Sequence, residues 1–359
     1  MVSSVKTFLT NFDFEICLQR QNFKRPTYNK INSTLEYFFF WCDDGDKLYT
    51  EKKYSKEYLS YVSNLSGNTI SITNDKKARL SCWWGKLDTN EDFLFEKEIN
   101  SNVLASQARN DLGFNELNSE IIYTQEELFS AISKRDKSFI IKHNFGFSGS
   151  GLAFKPQEVK QFPVCIEDWV KRVRDFGIYV SCDEYYVVQN HINPIGAYKG
   201  SLVKRFKEES LYSENAKRIY EYYSQFGVNQ IQIDAFQYLE NSQIKNYFLC
   251  EVNHRKSMGQ LAFELARKFG DGVSFMALVN KKDLKSLHSF NEIYAALGEL
   301  NYNPITKRGV ISLSSSQELF QAFLLCEESE RTLQFIITDW WKKVGKKGKK
   351  LPMEYIVNL

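Results

Sequence analysis

Residues 229–259 read NQIQIDAFQYLENSQIKNYFLCEVNHRKSMG, and this stretch decides the predicted fold. Two strand-like runs, 230–239 and 246–253, are separated by a polar connection, so the pattern predicts an antiparallel hairpin. A turn centred on residues 242 and 243 would set Asp234 directly opposite Glu251. Side chains alternate faces along a strand, so every second residue shares a face with these two carboxylates.

One face of the predicted hairpin is polar and the other is apolar. The polar face carries Gln232, Asp234, Glu251 and Asn253, and the predicted core face carries Ile231, Ile233, Cys250 and Val252. Two carboxylates opposed at about 5 Å repel each other, and a divalent cation between them removes that conflict. Mg²⁺ suits such oxygen ligands, because it usually takes one or two carboxylates together with substrate phosphates. A surface hairpin with scattered acids is the alternative interpretation.

Length and composition describe a globular chain of several domains. With 359 residues, 43% of them hydrophobic, two or three domains are expected. The net charge of +3 gives no overall argument for nucleic-acid binding. Seven dispersed cysteines without a CxxC pair fit a reducing compartment. The N-terminus lacks a signal-peptide core and no run approaches a membrane span, so a cytoplasmic location with no membrane partner is expected.

Local patterns predict the order of the elements. Residues 1–98 indicate a small α/β domain, with an apolar run at 37–42 interpreted as a buried strand. A helix is predicted at about 102–111, and a second helix is predicted to be capped by Ser315 and Glu318. The remaining chain is divided into 99–175, a lid and central subdomain, and 176–359, which contains the acidic hairpin.

A glycine-rich segment follows a strand predicted at 138–143, which carries Lys142 near its end. The small residues of this glycine-rich segment are Gly146, Ser148, Gly149, Ser150 and Gly151. Such a segment lets backbone N–H groups close on an anion, and Lys142 supplies a point charge for phosphate. No Gly-Lys-Ser/Thr follows, so this is not a Walker A loop. A glycine-rich hairpin turn without phosphate is the alternative.

The order of these motifs along the chain is a more specific signal of a protein family than any single motif. The chain runs from Lys142 through the Gly/Ser segment and the acidic strand CIEDWV to Asp234, and then to Glu251-Val-Asn253-His-Arg255. This order resembles the ATP-grasp superfamily, and within it the carboxylate–amine (or thiol) ligases such as D-alanine–D-alanine ligases and ATP-grasp peptide ligases. The resemblance covers roughly residues 98–280. It implies an α/β (α+β) fold, with a small N-terminal α/β domain and a nucleotide bound between two α+β subdomains.

The resemblance also assigns roles to individual residues. Asp234, Glu251 and Asn253 match the Mg²⁺ ligands, Arg255 matches a basic residue on the transferred phosphoryl group, and Lys142 matches the lysine on the nucleotide phosphates. The residues implied in nucleotide binding are Lys142, Gly146, Ser148, Gly149, Ser150, Gly151, Glu167, Asp168, Trp169, Val170 and Asp175. An earlier phosphate-contacting lysine of the family is missing near residue 100, so Lys199, Lys204 or Arg205 would compensate. The segment between 151 and 165 is short for the lid helix usual in the family.

The implied function is an ATP- and Mg²⁺-dependent ligase that activates a carboxylate as an acyl phosphate and joins it to an amine. The implied partners are small, amino-acid-like carboxylate and amine substrates, and a homodimer is compatible with the resemblance. Two alternatives remain open: a phosphotransferase or thioester-forming enzyme on the same fold, and a non-catalytic nucleotide-binding module. A lysine-rich run at 342–350 is interpreted as a solvated tail, with nucleic-acid binding as the less favoured alternative.

Overall fold

The computed structural model describes residues 5–43, 45–146, 151–193, 196–204, 209–315 and 318–349. Three β-sheets organise this part of the chain. The first lies near the N-terminus, the second in the middle of the sequence, and the third, which has eight strands, in the C-terminal half. The division into domains at 98 and 175 stays a proposal, and its second boundary lies inside a strand of the third sheet.

The N-terminal part is a parallel sheet with helices. Its elements are β1 (Thr7–Leu9), α1 (Phe14–Leu18), α2 (Asn32–Leu35), α3 (Phe38–Cys42), β2 (Lys47–Tyr49), α4 (Lys56–Ser66), β3 (Ser71–Thr73), β4 (Leu80–Cys82) and α5 (Asn90–Ile99). The strand order is β3-β2-β1-β4, and all three pairings are parallel. The chain therefore leaves β1 and β4, which are neighbours, at the same edge of the sheet.

The middle part is a small antiparallel sheet. Its elements are α6 (Asn102–Leu112), β5 (Ser119–Ile122), α7 (Gln125–Ser133), β6 (Phe139–His143), β7 (Leu152–Ala153) and β8 (Val164–Asp168), with a 3₁₀ turn at Pro156–Glu158. The strand order is β5-β8-β6-β7. The helix predicted at 102–111 is confirmed as α6. No α-helix lies in the described residues between β7 and β8, as the short spacing predicted.

The described residues of the third part form an eight-stranded antiparallel sheet flanked by four helices. Its elements are β9 (Lys171–Ser181), β10 (Tyr185–Ile192), β11 (Tyr198–Val203), α8 (Glu209–Ser224), β12 (Gln230–Glu240), β13 (Gln243–Asn253), α9 (Met258–Phe269), β14 (Val273–Asn280), α10 (Phe290–Leu297), β15 (Gly309–Ser312), β16 (Phe320–Glu327) and α11 (Glu330–Val344). The strand order is β13-β12-β9-β10-β11-β14-β16-β15. Short 3₁₀ turns lie at Lys281–Asp283 and Gly298–Leu300.

Two local predictions are wrong. The run 37–42 forms helix α3 instead of a strand, because a continuous apolar run has no periodicity that separates the two states. The helix predicted after Ser315 is strand β16. The hydroxyl of Ser315 does donate to Glu318, at 2.6 Å, but tertiary pairing with β14 and β15 decides the backbone that follows.

The N-terminal part shares its core with the C-terminal sheet. Helix α3 packs against α9, and its buried aromatic residues join those of the large sheet in one cluster. Trp41 is 1% exposed, and its indole N–H donates to the carbonyl oxygen of Leu313 at 2.8 Å. The face of the N-terminal part that carries α3 is therefore packed against the C-terminal sheet and not exposed to solvent.

Replacing Trp41 by Phe should lower the free energy of unfolding by about 2 kcal/mol, because it removes a buried hydrogen bond and leaves a small cavity. Urea unfolding followed by circular dichroism measures this. The matched control is Phe335→Leu, at a site 62% exposed on α11, which should change stability by less than about 0.5 kcal/mol. Equal effects of the two changes would contradict the shared core.

Candidate active site

A cavity of about 550 Å³ lies where the three parts of the chain meet. Its walls come from the loops after β1 and β4, from the glycine-rich segment after β6, and from β9 to β13 of the large sheet. The predicted site residues that line it are Lys142, Gly146, Gly151, Asp175, Asp234, Glu251, Asn253 and Arg255. The fold therefore brings together residues that are more than a hundred positions apart in sequence.

The acidic hairpin forms with the predicted carboxylate pairing. Asp234 pairs with Glu251 and Gln232 with Asn253 across β12 and β13. The turn lies one residue earlier than predicted, at Asn241 and Ser242, whose φ angles of 50° and 64° suit a tight two-residue turn.

A bulge reconciles the displaced turn with the predicted pairing. Phe236 pairs with Tyr247 and Asp234 with Glu251, so residues 248–250 face the single residue Ala235. The bulge also changes the position of Cys250, which was predicted to join the core with Ile231. Cys250 is buried, but its sulfur lies 3.4 Å from the Lys142 ammonium nitrogen and it lines the cavity.

Amide groups flank the two carboxylates. The Gln232 side-chain amide donates to Asp234 Oδ1 at 3.0 Å, and the Asn253 amide lies 3.4 Å from Asp234 Oδ2 and 3.3 Å from Glu251 Oε1. Burial raises the pKa of Asp234 well above its usual value, and the facing Glu251 carboxylate raises it further. A bound cation would remove the repulsion that arises when both acids are ionised.

The donor set fits a hard cation that also binds a phosphate. Among the described residues, no three His, Cys, Asp or Glu side chains cluster in a way that would hold a metal by themselves. Asp234, Glu251 and Asn253 supply two carboxylates and one amide oxygen. Mg²⁺ typically takes one or two carboxylates and completes its shell with water and substrate phosphates. These residues could therefore hold Mg²⁺ together with a nucleotide.

Lys142 lies in a buried ion-pair network. Its ammonium group is 2.9 Å from Glu167 Oε1 and donates to the Cys250 carbonyl oxygen at 3.0 Å. The other oxygen of Glu167 accepts from Tyr247 at 3.2 Å and lies 3.6 Å from the Arg109 guanidinium. Burial by itself would raise the pKa of Glu167, but the charges of Lys142 and Arg109 outweigh burial and hold it below its usual value.

The predicted adenine-binding segment does not line the cavity directly. Glu167 is committed to the network around Lys142, and Asp168 accepts from Arg135 at 2.6 Å. The backbone N–H of Trp169 donates to Ser138 at 2.8 Å. Val170 packs against the cluster that contains Phe236 and Cys250, two residues of the cavity wall.

Asp175 lies in the cavity wall and pairs with Arg172 at 2.9 Å. The Arg172 guanidinium lies over the ring of Phe236, with its central carbon 4.1 Å from the ring centre. Burial raises the pKa of Asp175, and the Arg172 charge opposes that rise. Arg172 therefore forms part of the cavity wall.

The glycine-rich segment closes on itself at its two ends. A Cβ atom on Gly146 would lie 2.6 Å from the Cα of Gly151, and a Cβ on Gly151 would lie 2.7 Å from the Cα of Gly146. Only glycine fits at either position. The predicted phosphate contacts Ser148, Gly149 and Ser150 lie outside the described residues.

Arg255 pairs with a residue that sequence reasoning missed. Its guanidinium forms an ion pair with Glu15 and donates to the Lys256 carbonyl oxygen at 2.8 Å. Glu15 is 6% exposed, lies in α1 and lines the cavity. Burial raises the pKa of Glu15, and the Arg255 charge opposes this. The available signal was an acid shortly after a short apolar strand, at the edge where parallel sheets bind ligands.

The three additional cations named from the sequence have different positions. Lys199 lines the cavity and has no acidic ion-pair partner among the residues that the structure describes. Lys204 instead pairs with Glu330 of α11 at 2.8 Å and is absent from the cavity wall. Arg205 lies outside the described part of the chain. Lys199 is therefore the remaining candidate for a phosphate contact.

The histidines near the site are packed or paired. His191 is 8% exposed, and burial lowers its pKa to about 4. Burial also lowers the pKa of His143. The ring of His254 lies 3.1 Å from the Glu96 carboxylate. None of the three lines the cavity, so a packing role is favoured over proton transfer.

Comparison with known proteins identifies the fold. No protein-family model and no curated protein sequence matches the chain. A biotin carboxylase–beta-gamma-ATP complex from Campylobacter jejuni aligns with a TM-score of 0.56 and 11% identity, over 90% of this chain and 92% of that chain. The ATP-grasp fold of this enzyme is shared by the matches that follow. The chain has an ATP-grasp fold.

Two further ATP-grasp structures support this assignment. The N5-carboxyaminoimidazole synthase of Aspergillus clavatus, in complex with ADP and 5-aminoimidazole ribonucleotide, aligns with a TM-score of 0.52 and 10% identity, over 86% of this chain and 95% of that chain. The corresponding synthetase of Staphylococcus aureus aligns with a TM-score of 0.52 and 12% identity, over 90% and 99%. The fold predicted from the sequence is confirmed. No described helix is long and apolar enough to span a membrane.

Replacing Asp234 by Asn should stabilise the metal-free protein by roughly 1 kcal/mol, because it removes one of two opposed carboxylates. Because the pKa of Asp234 is raised in the folded protein, the ionisation of this side chain lowers the free energy of unfolding as pH rises. The advantage of Asn should therefore grow from pH 4 to pH 8. Thermal unfolding over this range measures it. A destabilised metal-free D234N protein would contradict the proposed repulsion.

Replacing Glu167 by Gln should destabilise the protein by about 3 kcal/mol at pH 7, because it leaves Lys142 and Arg109 buried without their shared acid. The lowered pKa of Glu167 means that its contribution is lost as pH falls below about 4.5. The difference from wild type should therefore shrink at low pH. Urea unfolding measures the difference, and Glu120→Gln is the control. The Glu120 side chain is 45% exposed, so its replacement should lower the free energy of unfolding by about 0.5 kcal/mol or less.

Proposed function

We propose that the protein is an ATP- and Mg²⁺-dependent ligase that joins a substrate carboxylate to an amine and releases ADP and phosphate. The observation that carries the proposal is the convergence of Asp234, Glu251 and Asn253 on one cavity with Arg255 and Lys199, in a chain with an ATP-grasp fold. We also propose a cytoplasmic location, in keeping with the dispersed free cysteines.

The nucleotide is proposed to bind along the side of the cavity formed by β6, β9 and the acidic hairpin. Gly146 and Gly151 bring the backbone of the glycine-rich segment to the cavity, and Lys142 also lines the cavity. Asp175 is the proposed ribose contact. Adenine is proposed to lie beside the segment 167–170, near the Val170 and Phe236 cluster. Lys199 supplies a cation for the phosphates, because no described acid neutralises its charge.

The proposed chemistry depends on charge neutralisation and positioning. Bound Mg²⁺, held by Asp234, Glu251 and Asn253, would neutralise charge on the phosphates. A carboxylate oxygen of the substrate attacks the γ-phosphorus of ATP, so that the bond to ADP breaks and an acyl phosphate forms. The amine nitrogen then attacks the acyl carbon, phosphate leaves, and the amine loses a proton. Arg255 would stabilise the negative charge on the transferred group.

Replacing Lys199 by Ala should weaken binding of a non-hydrolysable ATP analogue by about tenfold or more, because a charge-assisted phosphate contact is lost. Lys204→Ala is the matched control: it lies on the same segment, is paired with Glu330, and should leave affinity unchanged. Isothermal titration with and without Mg²⁺ measures both. Glu251→Gln should abolish the Mg²⁺ dependence.

The products then distinguish the reaction classes. A ligase releases ADP and phosphate only when both acid and amine are present, whereas a phosphotransferase accumulates a phosphorylated product. An absence of analogue binding under either condition would overturn the proposed function.

A further inference from the structure

Two lysine-rich segments meet at the C-terminal end of α11. Residues 281–285 read KKDLK, and residues 342–350 read KKVGKKGKK. An antiparallel bridge joins Leu284 of the first segment to Gly345 of the second. Together they form one surface, here called the basic surface. Its described lysines are Lys281, Lys282, Lys285, Lys342, Lys343, Lys346, Lys347 and Lys349.

Backbone hydrogen bonds on both sides of the bridge hold the two segments together. The N–H of Lys285 donates to the Val344 carbonyl oxygen at 2.8 Å, and the N–H of Lys346 donates to the Asp283 carbonyl oxygen at 3.0 Å. Leu284 and Val344 are buried in the cluster that α11 forms with the large sheet. As far as residue 349, the lysine-rich run is therefore held against the protein by its core.

The basic surface concentrates positive charge in a chain that is nearly neutral. Its two segments contain eight described lysines and a single acid, Asp283, whereas the whole chain has a net charge of only +3. Asp283 pairs with Lys349 at 3.2 Å, and Asp339 of α11 pairs with Lys342 at 2.9 Å. Such a concentration of like charges repels itself and attracts polyanions.

Three lysines of the basic surface are exposed and have no acidic partner among the described residues: Lys282, Lys343 and Lys347. A local explanation covers only part of the cluster. Lys342 and Lys343 lie in the last turn of α11, where a cation complements the helix dipole. That explanation does not apply to the lysines that follow the helix or to those of segment 281–285.

The composition of the basic surface favours a lipid surface over a nucleic acid. Neither segment contains arginine, and the aromatic residues beside the second segment, Trp340 and Trp341, are buried. Nucleic-acid recognition commonly uses arginine at base edges and exposed aromatic rings for stacking. A cluster of lysines is enough to attract anionic lipid headgroups, each lysine adding to the affinity.

An exposed aromatic side chain lies beside the lysines. Phe335 of α11 is 62% exposed. It precedes Lys342 by about two helical turns, so the two side chains lie on the same side of the helix. A protein that binds a bilayer from one face commonly combines basic residues with an aromatic side chain that enters the headgroup region. Phe335 and the basic surface supply both components.

We propose that the basic surface, together with Phe335, binds the surface of a bilayer that contains anionic lipids. This contact is peripheral and goes beyond the proposed ligase function, on which it does not depend. It requires neither a signal peptide nor a spanning helix, the two features whose lack led the sequence to predict no membrane partner.

Co-sedimentation with phosphatidylcholine vesicles, with and without phosphatidylserine, tests the proposal. The protein should bind only the vesicles that contain phosphatidylserine, and high salt should release it, because salt screens exposed charges. The triple variant Lys282→Ala, Lys343→Ala, Lys347→Ala should bind about a hundredfold more weakly. The matched control removes three exposed lysines of the N-terminal part, Lys53, Lys76 and Lys77, and should bind like wild type.

The contribution of the aromatic side chain is tested separately. Phe335→Ala should weaken binding to phosphatidylserine vesicles by about tenfold, because the apolar contact with the bilayer is lost. Ile305→Ala is the control, at an apolar side chain that is 91% exposed in another loop, and should leave binding unchanged. Circular dichroism identical to wild type shows that each variant is folded.

Several outcomes would overturn the proposal. These are equal binding to vesicles with and without phosphatidylserine, binding that high salt does not weaken, and equal losses in the triple variant and its control. Titration with single-stranded and double-stranded RNA and DNA provides a further test. Nucleic-acid binding that the triple variant loses, without vesicle binding by the wild type, would assign the basic surface to a nucleic acid instead.

Discussion

The opposition of Asp234 and Glu251 across the β12–β13 hairpin is the constraint on which the site depends. Antiparallel pairing places the two carboxylates face to face, and burial raises the pKa of Asp234. The bulge at residues 248–250, opposite Ala235, keeps them opposed although the turn lies at Asn241 and Ser242, one residue earlier than the unbulged pairing requires. The Gln232 and Asn253 amides fill the remaining positions on that face. This arrangement destabilises the hairpin when both acids are ionised, and a bound cation would remove that cost.

The cations around this centre are balanced by their own acids. Lys142 pairs with Glu167 and Arg255 with Glu15 across separate segments of the chain, whereas Arg172 and Asp175 pair within strand β9. Lys142 is therefore a structural residue as well as a candidate ligand, because its network connects the middle sheet to the hairpin through Glu167 and Cys250. Nucleotide phosphates would compete with these acids for the same cations. Lys199 differs because no described acid neutralises it.

Three parts of the chain contribute different residues to the cavity. The large sheet carries Asp234, Glu251 and Lys199, the middle part carries Lys142 and the two ends of the glycine-rich segment, and the N-terminal part carries Glu15 and several apolar residues.

The sequence alone predicted the acidic hairpin, because a hairpin depends on local alternation, and the order of motifs from Lys142 to Arg255 carried the resemblance that implied the ATP-grasp fold. It also placed Lys142 before the glycine-rich segment. Only tertiary structure decided that Phe38–Cys42 is a helix and Phe320–Glu327 a strand, since apolar runs without periodicity take the conformation that their packing partners impose. The same holds for Glu15 with Arg255 and for Glu167 with Lys142. Ion pairs between residues so far apart in the chain leave no pattern in a single sequence, because the local sequence around one partner does not require the other.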